Sequence, residues 1–129
     1  MTVATKTLVA YHGDAALKAS VLAQMAEHRK QDQIAQGFYW RNGDGKPFRG
    51  CAVGCLTHDP EGGHHLYEAN WGIPEVLAHL EDSLFESLPV DQAQLWPERF
   101  LDAIPVGADL TNVWPRFAVW LMIDEKWGV

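Results

Sequence analysis

The sequence has little of what usually identifies a protein class. Two cysteines in 129 residues are too few for a disulfide scaffold, so we expect both thiols to be reduced. The longest uninterrupted apolar run is seven residues, 117–123, which is far too short to cross a bilayer. Residues 1–10 contain no long apolar core, so we expect no signal peptide, no membrane association and a cytoplasmic location.

Basic residues are scarce as well. Ten Lys and Arg stand against seventeen Asp and Glu, which gives a formal net charge of −7. Because phosphate is repelled by such a surface, we expect no direct binding to nucleic acid. The charge favours solubility, or attraction to another protein, and a basic protein is one candidate partner.

The recurrent catalytic and cofactor motifs are absent. The chain contains no P-loop, no G-x-G-x-x-G, no H-E-x-x-H and no G-x-S-x-G pattern. We therefore expect no cofactor, and the sequence leans away from an enzyme without excluding one.

What the chain does have is the composition of a folded domain. Hydrophobic residues make up 47%, and 129 residues are enough for one domain with a real core. The pattern predicts a mainly α fold: a single compact domain over residues 1–129, with about five helices. Asn-Gly and Asp-Gly steps favour tight turns, so a short β-hairpin is expected within residues 38–48.

Helical periodicity is clearest in two segments. Residues 15–36 follow Asp14, which suits an N-cap, and precede Gly37, which suits a C-terminal stop. Residues 75–88 carry a leucine stripe at helical spacing. The acidic residues of this second helix are expected to face mostly outward: Glu75, Glu81, Asp82 and Glu86.

The segment 112–127 is predicted to be the buried centre of the fold. It contains the apolar run 117–123. Trp114 precedes this run and Trp127 follows it. A helix that is apolar all round is normally a core helix.

Residues 50–56 read Gly-Cys-Ala-Val-Gly-Cys-Leu. In a strand, Cys51, Val53 and Cys55 would share a face, but we favour a helix in which the two glycines stack one turn apart, as do the two cysteines. Two glycines inside a helix lower its stability by roughly 1 kcal/mol each, so their small size must allow packing that compensates for this loss. We interpret the small residues as permitting close approach of another helix.

Three site hypotheses accompany this packing interpretation. The first is a cysteine nucleophile at Cys51. A helix start lowers a thiol pKa, and His58, His64 or His65 could assist. Burial without reactivity is the commoner fate of a cysteine that lacks an acid orienter and a family signature.

The second hypothesis is a zinc site. Cysteine sulfur and histidine nitrogen are the ligands that zinc prefers. The spacing C-x3-C-x2-H-x5-H-H matches no standard finger, and a His-rich loop is more often only solvated. The ligand candidates are Cys51, Cys55, His58, His64 and His65.

The third hypothesis is a small-molecule cleft beside the first helix. His28 and Asp32 lie one turn apart in the predicted helix and can hydrogen-bond. Tyr39, Trp40 and Arg41 follow closely, and aromatic walls with a few polar groups are typical of ligand sites. A buried histidine satisfied by its neighbour is the simpler interpretation.

Residues 50–56, followed by 72–75 and 80–86, resemble a pattern found in small uncharacterised bacterial and phage-type helical proteins. The resemblance implies a prokaryotic or viral origin and carries no activity with it.

Aromatic residues are abundant, with six Trp, five Phe and three Tyr. Trp and Tyr are favoured at protein interfaces, and Trp71, Trp96 and Trp127 are expected nearest the surface. Together with the acidic charge, this predicts a non-enzymatic protein that binds another protein, as a regulator or inhibitor. The alternative is a small cysteine-centred enzyme or a metal- or ligand-binding protein. The sequence leaves the oligomeric state open.

Overall fold

The structure is a computed structural model that describes residues 7–39, 41–43 and 46–129, with the backbone alone at 41–43, 46 and 47. It confirms the mainly α fold, and six α-helices lie in these ranges. In chain order the elements are a 3-10 helix Ala10–Gly13, α1 Ala15–Lys30, β1 Arg41–Gly43, β2 Lys46–Arg49, α2 Ala52–Thr57, α3 Leu66–Trp71, α4 Glu75–Ser87, α5 Val90–Asp102 and α6 Val113–Ile123. The expected hairpin is formed by β1 and β2, which pair antiparallel.

The core lies between the first five helices. Helix α1 packs against α2 and α5, and α4 packs against α2, α3 and α5. The largest buried side chains include Tyr11, Met25, Ile34, Tyr67 and Phe85. Burial of a large apolar side chain contributes about 1.5–3 kcal/mol, so these residues hold the helices together.

The start of α1 is as expected and its end is not. The Asp14 carboxylate accepts a hydrogen bond from the Ala16 amide at 2.9 Å, which confirms the N-cap. The predicted end at residue 36 is wrong, because α1 stops at Lys30. Beyond it, Ile34 is fully buried and pairs with Gly50 in a parallel β-bridge. An extended backbone is needed for that pairing, so tertiary contact overrides the helical pattern.

Helix α5 runs unbroken from Val90 to Asp102 and contains Pro97. Proline removes one backbone hydrogen bond from a helix interior. Here the ring lies on the buried face of α5, together with Ala93 and Leu101. Packing of that face compensates for the lost bond and keeps the helix continuous.

Long polar side chains close three helix ends from a distance. The Gln24 amide donates to two carbonyl oxygens at the end of α2, at 2.7 and 3.1 Å. The Gln36 amide donates to two at the end of α4, at 2.7 and 2.8 Å. The Lys18 ammonium group donates to two at the end of α5, at 2.8 and 2.9 Å. The last carbonyls of a helix have no partner within the helix, so tertiary contacts satisfy them here.

The prediction for the C-terminal segment is wrong. No residue of α6 is buried, and Met122 and Ile123 are 75% and 71% exposed. The start of the helix is attached to the rest of the domain, since Val113 packs against the core and its amide donates to Leu110 at 3.2 Å. Composition alone cannot distinguish an apolar helix covered by its own chain from one left open. Within the described ranges, no helix combines the length and apolar character needed to cross a membrane.

Candidate functional site

The two cysteines lie in the packed core around α2. Cys51 is the N-cap of α2 and Cys55 lies one turn later, and both side chains are fully buried. The Cys51 sulfur accepts a hydrogen bond from the Gly54 amide at 3.4 Å, and the Cys55 thiol donates to the Gly50 carbonyl at 3.3 Å. Burial raises the pKa of each thiol to about 12, so neither is a thiolate at neutral pH.

The glycines beside them permit close backbone approach, as predicted. A Cβ atom on Gly54 would lie 1.6 Å from the carbonyl oxygen of Tyr39, and one on Gly50 would lie 2.6 Å from the same atom. We expected the approaching segment to be another helix, but it is the loop before β1. The Phe38 carbonyl accepts a hydrogen bond from the Cys51 amide at 3.1 Å, which fixes this loop against α2.

The buried thiols lead to a prediction about alkylation. A pKa raised from 9 to about 12 lowers the thiolate fraction at neutral pH about a thousandfold. We expect iodoacetamide to label the native protein at least that much more slowly than the urea-unfolded protein. Mass spectrometry of timed, quenched samples measures both rates. Fast labelling of Cys51 in the native protein would contradict the packing interpretation and favour the cysteine enzyme.

The predicted zinc ligands are not brought together. His58 Nε2 lies 3.0 Å from His28 Nε2, whereas His64 Nε2 lies 3.0 Å from an oxygen of Asp82. His65 is exposed at the start of α3 and its side chain makes no capping bond. The histidines thus serve separate local contacts, and the structure does not support the zinc site predicted from their spacing.

A different polar group lies around a hollow of about 240 Å³ between the loop before β1 and α4. Its lining residues are Gly37, Phe38, Tyr39, Asp82 and Glu86. Two of these residues, Asp82 and Glu86, each offer a carboxylate oxygen that lies, with the Cys51 sulfur, in a group of three ligand atoms within 4.8 Å of one another. Sequence reasoning missed the two carboxylates as site residues, because acidic side chains on a helix are normally solvent-facing.

Hydrogen bonds within the protein engage both carboxylates. Asp82 bonds to His64, whose ring stacks on His79 at 4.0 Å, and Glu86 accepts the Gly37 amide at 2.9 Å. One oxygen of Asp82 is buried and has no hydrogen-bond partner among the described residues. The donor set could take a divalent cation, but only if Cys51 lost its proton despite the raised pKa of its thiol.

The predicted cleft beside the first helix is divided. Asp32 lies beyond the end of α1 with a φ of 55°, and its carboxylate is 3.7 Å from Arg49 rather than bonded to His28. His28 bonds to Gln33 at 2.8 Å and to His58. The His28–Asp32 hydrogen bond that helical spacing would permit is therefore not formed.

The aromatic members of the same cleft go elsewhere. The Tyr39 ring meets the edge of His64 at 5.5 Å, beside the hollow on α4. Trp40 lies outside the described residues, and only the backbone of Arg41, in β1, is described. The binding residues predicted from sequence thus do not form one cleft in the described part of the chain.

Glu81 is the clearest charged exception to the outward pattern predicted for α4. Its side chain is 1% exposed, and its carboxyl group accepts a hydrogen bond from the Tyr67 hydroxyl at 2.6 Å. Burial, assisted by the nearby charge of Asp82, raises the Glu81 pKa to about 8. The group is thus protonated at neutral pH, and it forms part of the core rather than of a surface site.

The most unusual surface is made by α6 and the residues after it. We call the α6 surface the exposed apolar side chains of Trp114, Val119, Trp120, Met122, Ile123 and Trp127. Aromatic rings follow one another along the helix. The ring centroids of Trp114 and Phe117 are 6.1 Å apart, and those of Phe117 and Trp120 are 5.8 Å apart. Contiguous exposed apolar surface of this kind marks interaction sites in soluble proteins.

The expected surface exposure of three tryptophans is wrong for Trp71 and confirmed for Trp127. Trp71 is buried and Trp96 is partly buried, with its indole donating to the Glu81 carbonyl at 3.0 Å. Trp127 is exposed as expected.

No family model, curated protein or solved structure matches the chain.

Proposed function

We propose that this protein is a non-enzymatic binding protein of the cytoplasm and that its α6 surface makes the contact with its partner. The observation that carries the proposal is the exposure of α6: its run of seven apolar residues contains no buried side chain. Exposed apolar area has a large free-energy cost in water. A partner that covers it removes that cost.

The composition of the surface also supports a protein partner. Three of its six side chains are tryptophan, the residue most enriched among interface hot spots. The partly exposed rings offer large rigid areas with an indole N–H available for a polar partner. The buried, protonated cysteines favour binding over catalysis, since they remove the best candidate nucleophile.

The proposal predicts site-specific cross-linking in cells. A photo-reactive benzoylphenylalanine at Met122, which is 75% exposed on α6, is expected to form an adduct with a protein. The same residue at Val90, 70% exposed at the start of α5, is the matched control and is expected to form none. Mass spectrometry identifies the adducts.

Adding Ile123→Glu to the Met122 probe is expected to abolish its adduct. Because Ile123 is 71% exposed, the substitution should change the free energy of unfolding by only about 0.5 kcal/mol. Adducts of equal yield at Met122 and Val90, or none at either position, would refute the assignment of the contact to α6.

A further inference from the structure

We infer that the partner seated on the α6 surface is a second copy of this chain, with the two α6 helices antiparallel about a two-fold axis. The inference rests on the proposed function, because it names the partner of the same surface.

The exposed face of α6 has the spacing of a helix-pairing seam. Arg116, Val119, Trp120 and Ile123 are separated by three, one and three residues, so they fall on one side of a helix with 3.6 residues per turn. All four are exposed. Phe117 and Leu121, on the other side, are partly buried. The seam therefore lies on an exposed side of α6.

The charges at the ends of α6 are complementary to those of an inverted copy. Arg116 lies in the first turns of α6, where the helix dipole disfavours a cation. It forms no salt bridge with any carboxylate in the described part of the chain. Asp124 and Glu125 follow directly after the C-terminal end of the helix.

An antiparallel pair gives Arg116 an acidic partner at each end of the interface. Arg116 and Asp124 lie four residues to either side of Trp120. A pair centred on Trp120 therefore places Arg116 against the partner's Asp124 and the partner's Glu125, at the favourable end of the opposing dipole. Two-fold symmetry repeats the contact at the other end.

The available area suits this partner. Together the six side chains of the α6 surface expose several hundred Å², while a standard interface buries about 800 Å² per partner. In a two-fold pair the same patch is used by both copies, and Val119, Trp120 and Ile123 are the members of the α6 surface that lie on the seam. A lipid surface would also accept exposed tryptophans, but the net charge of −7 opposes anionic membranes.

A charge-exchange experiment tests the inference on the purified full chain. Sedimentation equilibrium is expected to show a dimer for the unmodified protein. Arg116→Glu and Glu125→Arg are each expected to raise the dimer dissociation constant about tenfold, because each places like charges together at both ends. Mixed in equal amounts, the two variants should form a heterodimer with about the unmodified affinity, since both opposite-charge contacts return.

Other outcomes overturn the inference. A monomer at high micromolar concentration would do so, and so would Arg116→Glu dimerising as strongly as the unmodified protein, which would indicate parallel helices. Dimerisation that survives Ile123→Glu would place the interface elsewhere. A monomer whose tryptophan fluorescence shifts on phosphatidylcholine vesicles would assign α6 to lipid. If the chain is monomeric but Met122 still cross-links another protein in cells, the proposed function stands and only the second-copy partner is wrong.

Discussion

Replacing Gly54 by Ala is expected to lower the free energy of unfolding by more than about 3 kcal/mol, or to prevent folding. The new Cβ would lie 1.6 Å from the Tyr39 carbonyl oxygen and 2.6 Å from its carbonyl carbon. Both are backbone atoms, so neither rotates away as a side chain would. Either α2 or the loop before β1 must move, although the hydrogen bond from the Cys51 amide to the Phe38 carbonyl holds the two together.

This substitution separates local propensity from tertiary packing. Gly54 lies inside α2 and is not among the residues of positive φ. Propensity alone would predict that Ala stabilises the helix by about 1 kcal/mol. Urea denaturation followed by circular dichroism gives the sign directly.

Gly107→Ala is the matched control for Gly54→Ala. No atom of the described residues lies within 4 Å of a Cβ placed at Gly107, although its φ is +81°. We expect a loss of about 1 kcal/mol from backbone strain alone. A Gly54→Ala protein as stable as this control would show that the close approach is not a constraint.

Glu81→Gln is expected to stabilise the protein at pH 9 by several kcal/mol while changing it little at pH 5. The Glu81 pKa is raised from 4.5 to about 8 by burial. Between these values the folded protein keeps a proton that the unfolded chain has released. The unfolded state then binds fewer protons, so the free energy of unfolding falls with rising pH, by about 1.4 kcal/mol per unit, and levels off above pH 8.

The glutamine variant removes this slope because its amide stays neutral. Its side-chain oxygen still offers an acceptor to the Tyr67 hydroxyl, which now donates to the carboxyl group. Urea denaturation at pH 5, 7 and 9 measures the slope in both proteins. Glu75→Gln, at an exposed position on α4, should leave the slope of the unmodified protein. A slope that persists in Glu81→Gln would mean that another group titrates.

Local signals in the sequence predicted much of the fold. The Asp14 cap, the hairpin and the helical state of α2 depend on residues close together in the chain, and each was confirmed. The end of α1 depends instead on Gly50, which pairs with Ile34 across sixteen positions. No pattern within a single helix contains that information.

The site was harder to predict for two physical reasons. A charged residue in a helix is normally exposed, so nothing marked Glu81 as a core residue, or Asp82 and Glu86 as neighbours of Cys51. An apolar run is normally buried, so residues 117–123 indicated a core helix. For Glu81 and for residues 117–123 the usual relation between polarity and burial is reversed, and only tertiary structure reveals it.

The side chains that close the helix ends have a consequence for how the domain opens. Gln24, Gln36 and Lys18 reach carbonyl groups far along the chain, so distant segments add to the local hydrogen bonds that secure these ends. Fraying of such an end requires the donor's helix or loop to separate from it first. The ends of α2, α4 and α5 should therefore exchange their amide hydrogens together with the larger units that hold them, rather than as independent termini.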